Sequence, residues 1–287
     1  MKLLRAEPGE GIVWIRRAFQ VFLQQPFGLA GLFSLCALVA YAVSWIPVVG
    51  GALLPVLAPA GSLVFMIATR RVVAGERPMP GALTTLKAAG RPRLVELLKL
   101  GVAYLAASVV AMLIFMAIDG GATATWMEAV SSTAASTPGA SAPASAPGAT
   151  PAPLPDARVV FSSLLHLALL ALVSVPFWHA PALVYWGQQS WVKSLFFSTL
   201  AIWRNRGAFA VYGLAWFGLS LVFAMVFSVL VALLGVPQKP SLGAVLVFVT
   251  AISLYLTLMY TSLWFTVAGC FGIDADPSSP LHKETLP

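Results

Sequence analysis

Apolar residues gather in six blocks, near 27–46, 48–69, 97–118, 159–186, 208–235 and 242–270. Each is long enough to cross a hydrocarbon core, which needs about 20 apolar residues. All six are predicted as helices, because a backbone facing lipid must satisfy its own hydrogen bonds. Breakers mark the turns between neighbours: "WIPVVGG" at 45–51 closes the first hairpin and "LLGVPQKPSLG" at 233–243 the last.

Two stretches follow a different pattern, mixing bases and rings at helical spacing. In "WIRRAFQVFLQQP" (14–26), Arg16, Arg17, Gln20 and Gln24 share one arc of a helical wheel. Ile12, Trp14, Ile15, Ala18, Phe19, Phe22 and Leu23 fill the other arc. "WVKSLFFSTLAIWRN" (191–205) echoes it: Lys193, Ser190, Ser194 and Arg204 oppose Trp191, Leu195, Phe196, Ile202 and Trp203, with Phe197 breaking the pattern. Such helices are predicted to lie in a membrane interface, rings at headgroup depth and bases toward anionic lipid. The expected anchors are Trp14, Arg16, Arg17, Trp191, Lys193, Trp203, Arg204 and Arg206. A shorter version, "PMPGALTTLKAAGRPR" (78–93), precedes the third block, so the chain reads as repeated units of one interfacial helix followed by a hairpin.

Composition agrees with the bilayer as solvent. Of 287 residues, 59% are hydrophobic and 9% charged, where a soluble domain carries about a quarter charged residues. The net charge of +7 would suit nucleic acid, but its placement argues for topology instead. With the N-terminus inside, Lys2, Arg5, Arg16, Arg17, Arg70, Arg71, Arg77, Lys87, Arg91, Arg93, Lys99, Lys193, Arg204, Arg206 and Lys283 fall in cytoplasmic segments. Only Arg158 and Lys239 fall outside. This bias predicts both termini in the cytoplasm of a bacterial inner membrane and no nucleic-acid partner.

The segment 119–158 is the one long external connection. Its uncharged Ala/Ser/Thr/Pro tract cannot bury a core and reads as a disordered loop. Residues 271–287 form a cytoplasmic tail. Acids interrupt the start "MKLLRAEPGEGIVWIRR", which is not expected to be a secretory leader. Cys36 and Cys270 lie inside apolar blocks without metal-ligand spacing and read as small buried hydrophobes.

Chemistry is sparse. No HExxH, GxSxG or Walker A motif occurs, and the spans hold no paired carboxylates. Glu96, Asp119 and Glu128 sit at or beyond span ends and are expected to be solvated. His166 and His179 are the ionisable groups deep in spans, and such groups are functional candidates because burying them is costly. His179 stands between Pro176 and Pro181 in "SVPFWHAPALVYW", where the lost backbone donors should kink the helix. The second block carries Pro55 and Pro59 in "GALLPVLAPAGSLV". Interrupted helices at matching positions of repeats point to a binding site in transporters. His179, Pro55, Pro59, Pro176, Pro181 and Tyr260 are therefore the candidate ligand or lipid contacts. Tyr260 belongs to a polar stripe in the last block with Ser253, Thr257, Thr261 and Trp264, which could line a cavity or bond neighbouring helices. A Ser62–His179 pair is conceivable at this level.

The segments "WIRRAFQVFLQQP", "IPVVGGALLPVLAPAGSLV" and "FWHAPALVYWGQQSWVKSLFFSTLAIWRNRGAFAVYGL" resemble an uncharacterised family of bacterial multi-pass inner-membrane proteins. They are distantly similar to the membrane domain attached to some glycerophosphodiester phosphodiesterases. Those enzymes' soluble barrel with acidic metal ligands is absent here, so the resemblance implies no such activity.

The sequence thus predicts an all-α, polytopic membrane protein of six transmembrane helices with cytoplasmic interfacial helices. The expected role is non-enzymatic, organising or contacting membrane lipids through anionic headgroups, with no cofactor and no metal. The alternative is a carrier of a small amphipathic or lipid-like molecule, with its site at the proline-broken second and fourth spans.

Overall fold

A computed structural model of the protein describes residues 2–47, 49–136, 154–233 and 242–273. Eleven helices appear among them: α1 (Glu10–Gln24), α2 (Pro26–Ser44), α3 (Gly50–Val73), α4 (Gly81–Lys87), α5 (Arg91–Asp119), α6 (Ala122–Ser136), α7 (Ala157–Phe177), α8 (Ala180–Tyr185), α9 (Trp191–Arg204), α10 (Arg206–Leu233) and α11 (Leu242–Phe271). Among the described residues, six stretches are long and apolar enough to cross a membrane: Pro26–Ser44, Gly50–Val73, Arg91–Asp119, Ala157–Tyr185, Arg206–Leu230 and Val245–Phe271. The protein is all-α, and the apolar blocks of the sequence are these helices.

Helix ends follow local chemistry. α2 starts on Pro26, which needs no backbone donor in a first turn. Beyond α3, Gly75 adopts φ +78, a conformation that glycine reaches without a Cβ clash. The turn between α5 and α6 uses Gly120 at φ +56 and Gly121 at φ +87. α3 and α5 run past their apolar blocks to take in Arg70 and Arg71 at one end and Arg91 and Arg93 at the other.

The chain forms two compact units. The first comprises residues 1–105, 175–223 and 250–287 and holds the main core. There α1 is drawn in close to α10 and α11: a Cβ on Gly11 would stand 2.3 Å from the Ala208 carbonyl, and one on Gly269 would meet the Trp14 indole at 2.6 Å. Trp14 packs on Phe209 and Tyr212 at 5.3 and 6.1 Å between ring centroids. α5 crosses α3 as closely, with Gly101 against the Val56 carbonyl. The described basic residues belong to this unit, Arg158 excepted.

The second unit comprises residues 106–174 and 224–249. Asp119 holds α5, α6 and α7 together in it. Its carboxylate accepts from the Ser162 hydroxyl at 2.6 Å and from the Thr123 hydroxyl and N–H at 2.7 and 3.1 Å. Phe115 lies 4.6 Å from the His166 ring.

Several expectations need correction. Asp119 is buried rather than solvated, because these hydroxyl and amide donors replace water around its carboxylate. Residues 122–136, read from composition as part of a disordered loop, are helical as α6, and the loop's centre at 137–153 lies outside the described residues, as does most of the tail. α4 has seven residues, half the length of α1, so the third copy of a repeat finds no support. α3 runs unbroken through Pro55 and Pro59, whereas the fourth span divides between α7 and α8. The two proline pairs are therefore not equivalent.

Candidate functional site

The break in the fourth span is built from its prolines and from a neighbour. Pro181 occupies the second position of α8, where a missing N–H costs nothing. An unbroken helix would bond the His179 N–H to the Val175 carbonyl. Instead Ser198 of α9 is inserted between them. The His179 N–H donates to its Oγ at 3.0 Å, and its hydroxyl donates to the Val175 carbonyl at 3.2 Å. One side chain thus repairs both ends of a broken backbone bond, a recognised cause of sharp helix kinks.

The His179 ring is fully buried. Phe209 and Phe271 meet it edge-on at 5.6 and 5.5 Å. Neither ring nitrogen has a hydrogen-bond partner among the described residues. Ser62 turns back onto its own helix, donating to the Pro59 carbonyl at 2.9 Å, so no Ser62–His179 pair forms. Pro59 is buried, Pro55 and Pro176 are half-buried, and Tyr260 packs on Phe65 at 5.1 Å and Phe33 at 6.3 Å. Neither basic cleft of the first unit is lined by these candidates.

Several hydroxyls of α11 have partners. Thr257 donates to the Ser253 carbonyl and Thr261 to the Thr257 carbonyl, both one turn back. Ser262 shares a 2.6 Å hydrogen bond with Tyr212, and Thr266 accepts from the Trp178 indole at 3.1 Å. Thr257 and Thr261 of the stripe thus bond within α11, and the hydrogen bonds to other helices come from Ser262 and Thr266 beside it.

The side chains of α1 and α9 fall on three faces rather than the two expected. α1 buries Gly11, Trp14, Ile15, Ala18 and Val21 against the protein. Ile12, Phe19 and Leu23 stay exposed on a second arc, and Arg16, Gln20 and Gln24 are exposed on a third with the half-buried Arg17. In α9 the buried face is Ser194, Ser198 and Ala201. Val192, Phe196, Leu200 and Trp203 are exposed, flanked by exposed Lys193 and Arg204. Two assignments change as a result. Trp14 is 1% exposed and packs inside the protein, since the close approach at Gly11 and Gly269 draws α1 inward. Ser194 belongs to the buried face, where its hydroxyl satisfies the Ser190 carbonyl and its small size admits α9. Trp191 is half-buried, and Trp203 is 71% exposed with the Arg206 guanidinium over its ring at 5.8 Å.

Two basic clefts lie in the first unit. One, of about 300 Å³, is lined by Arg70, Arg71, Glu76, Thr85, Tyr185 and Trp186 among others. Arg70 stands 5.7 Å from the rings of both Trp186 and Trp264, and Arg71 pairs with Glu76 at 2.9 Å. The other, of about 560 Å³, brings Arg5 to Arg204 and Arg206. Sequence reasoning missed Asn205, which joins the N-terminal segment to the α9–α10 elbow. Its side chain accepts from the Ala6 N–H at 2.6 Å and donates to the Leu4 carbonyl at 3.2 Å. A lone amide gives no periodic signal, and its partners lie about 200 positions away. Among the described residues no three His, Cys, Asp or Glu side chains gather as metal ligands.

The chain is similar to a probable inner membrane protein of Burkholderia thailandensis, with 33% identity over 286 residues and 99% of each chain covered. No protein-family model matches the chain, and no solved structure does. The distant likeness to the phosphodiesterase membrane domain is therefore without support.

Proposed function

We propose, since this chain belongs to the family of bacterial multi-pass inner-membrane proteins that includes the Burkholderia thailandensis protein, that it is a non-enzymatic lipid-contacting protein acting on the leaflet beside its basic rim. Both termini lie in the cytoplasm on this reading, by the bias of basic residues. The observation that carries it is the three-faced build of α1 and α9. A helix with one face on protein, one apolar and exposed, and one basic has the surface that an interface demands. The exposed rings and aliphatics enter the acyl region, and the bases meet phosphates. Each base near an anionic surface contributes about 1 kcal/mol of attraction, screened by salt.

The test is lipid selectivity at the protein boundary. Spin-labelled phosphatidylglycerol and phosphatidylcholine are compared by electron paramagnetic resonance on the reconstituted protein. Phosphatidylglycerol is expected to be immobilised several-fold more, with the preference shrinking in salt and in the variant R16Q/R17Q/K193Q. Equal immobilisation of both lipids at low salt would overturn the reading.

The carrier alternative rests on one observation, the His179 nitrogens that find no partner among the described residues. The ring is enclosed by Phe209 and Phe271, and both basic clefts are lined by other residues. Native mass spectrometry of the wild type beside His179→Ala discriminates: a carrier loses a bound small molecule with the imidazole, and a lipid-contacting protein does not.

A further inference from the structure

We propose that the cleft framed by Arg5, Arg204 and Arg206 binds the phosphate of one anionic phospholipid in fixed stoichiometry, an assignment that rests on the lipid-contacting reading above. Its frame is the buried side chain of Asn205, 1% exposed, which grips the N-terminal segment at Leu4 and Ala6. The Leu4 N–H also donates to the Cys270 carbonyl at 2.8 Å, fixing that segment to the end of α11. With residues 4 and 6 held, Arg5 between them turns outward. Arg204 and Arg206 flank Asn205 on its own strand of chain and reach the same cleft. Three guanidiniums are thus assembled by one buried amide.

Their charge is poorly compensated. Glu7 is the one acid lining the cleft, and none of the three arginines makes an ion pair among the described residues. Like charges sharing a cleft repel, and a bound anion offsets that repulsion. Arginine forks match the oxygens of a phosphate in paired hydrogen bonds, which a lysine cannot reproduce. The volume of about 560 Å³ lies within the ordinary range for ligand pockets. The neighbourhood selects a lipid over a free phosphoester. Arg206 stacks on Trp203, whose ring is 71% exposed beside Val192, Phe196 and Leu200. A headgroup on the arginines has an apolar face next to it for the acyl chains.

The full chain is reconstituted in nanodiscs of equal phosphatidylglycerol and phosphatidylcholine and read by native mass spectrometry. Expected is one phosphatidylglycerol retained per chain under activation that strips phosphatidylcholine. Retention should fall about tenfold in R5Q/R204Q/R206Q and stay unchanged in K87Q/R91Q. The charge-preserving R5K/R204K/R206K should lose the retained lipid yet keep the spin-label selectivity. It carries the test if the glutamine variant melts early. Retention indifferent to the three arginines, or lost equally in K87Q/R91Q, overturns the site. If selectivity at the boundary persists without a retained lipid, the site fails and the broader reading stands. If the wild type shows no selectivity, both fail. Glycerol 3-phosphate added in neutral detergent separates the sources. Binding there with the same arginine dependence, and displacement of the lipid, would assign the cleft to a soluble phosphoester and overturn the lipid assignment.

Discussion

Ser198 and Ser194 stand one turn apart on the same buried face of α9, yet they do different things. Ser198 completes a backbone bond that the fourth span cannot close by itself, whereas Ser194 satisfies a carbonyl of its own helix. Ser198→Ala leaves the His179 N–H without its partner in a dry interior, a loss of about 1–3 kcal/mol. Ser194→Ala keeps the small size that the packing needs and should cost a few tenths of that. Thermal unfolding in detergent checks the order, and equal melting temperatures would refute the bridging role. His179 itself makes the opposite prediction. Its ring nitrogens have no partner among the described residues and lie between two phenylalanines, so His179→Phe removes buried polar atoms while keeping an aromatic ring there. The melting temperature is expected to hold or rise. A marked fall would mean that the imidazole has a partner, such as a bound water or ligand.

At the scale of elements, close helix approaches rest on particular glycines. A Cβ on Gly101 would lie 2.1 Å from the Val56 carbonyl, and backbone cannot yield as a flexible side chain does. Gly101→Ala should therefore push α5 off α3 and lower the melting temperature by several degrees. Gly213 on α10 has nothing within 4 Å, and Gly213→Ala gains up to about 1 kcal/mol of helix propensity. The same contrast shows what a sequence can reveal. The spans are legible because hydropathy sums over some twenty residues, and α1 and α9 because rings and bases recur at helical spacing. Ser194 reads as part of the polar arc because a serine suits both water and a tight helix contact. α6 is not legible because an Ala/Ser/Thr composition describes a helix as well as a disordered tract. The prolines of α3 and of the α7–α8 break look alike in sequence. Ser198, distant along the chain, is inserted at only one of them.

For the molecule as a whole, the distribution of basic residues predicts which way round it lies, and that prediction can be tested directly. Moving the basic rim across the bilayer would oppose the bias that sets the orientation of bacterial inner-membrane proteins. The two native thiols, buried Cys270 and half-buried Cys36, are first replaced by serine to give a silent background. Leu154, 89% exposed just before α7, then reports the connection that the sequence predicts to be external. Gly9, exposed with nothing within 4 Å of its Cβ position, reports the rim itself. Leu154→Cys should react with an impermeant maleimide on intact spheroplasts, and Gly9→Cys only after the membrane is opened. The reverse pattern would put the arginine cleft and the three-faced helices on the outer leaflet. The anionic-lipid reading would then have to be tested against that leaflet's composition. Labelling of both sites on intact spheroplasts would mean that the chain adopts two orientations, which this distribution of basic residues argues against.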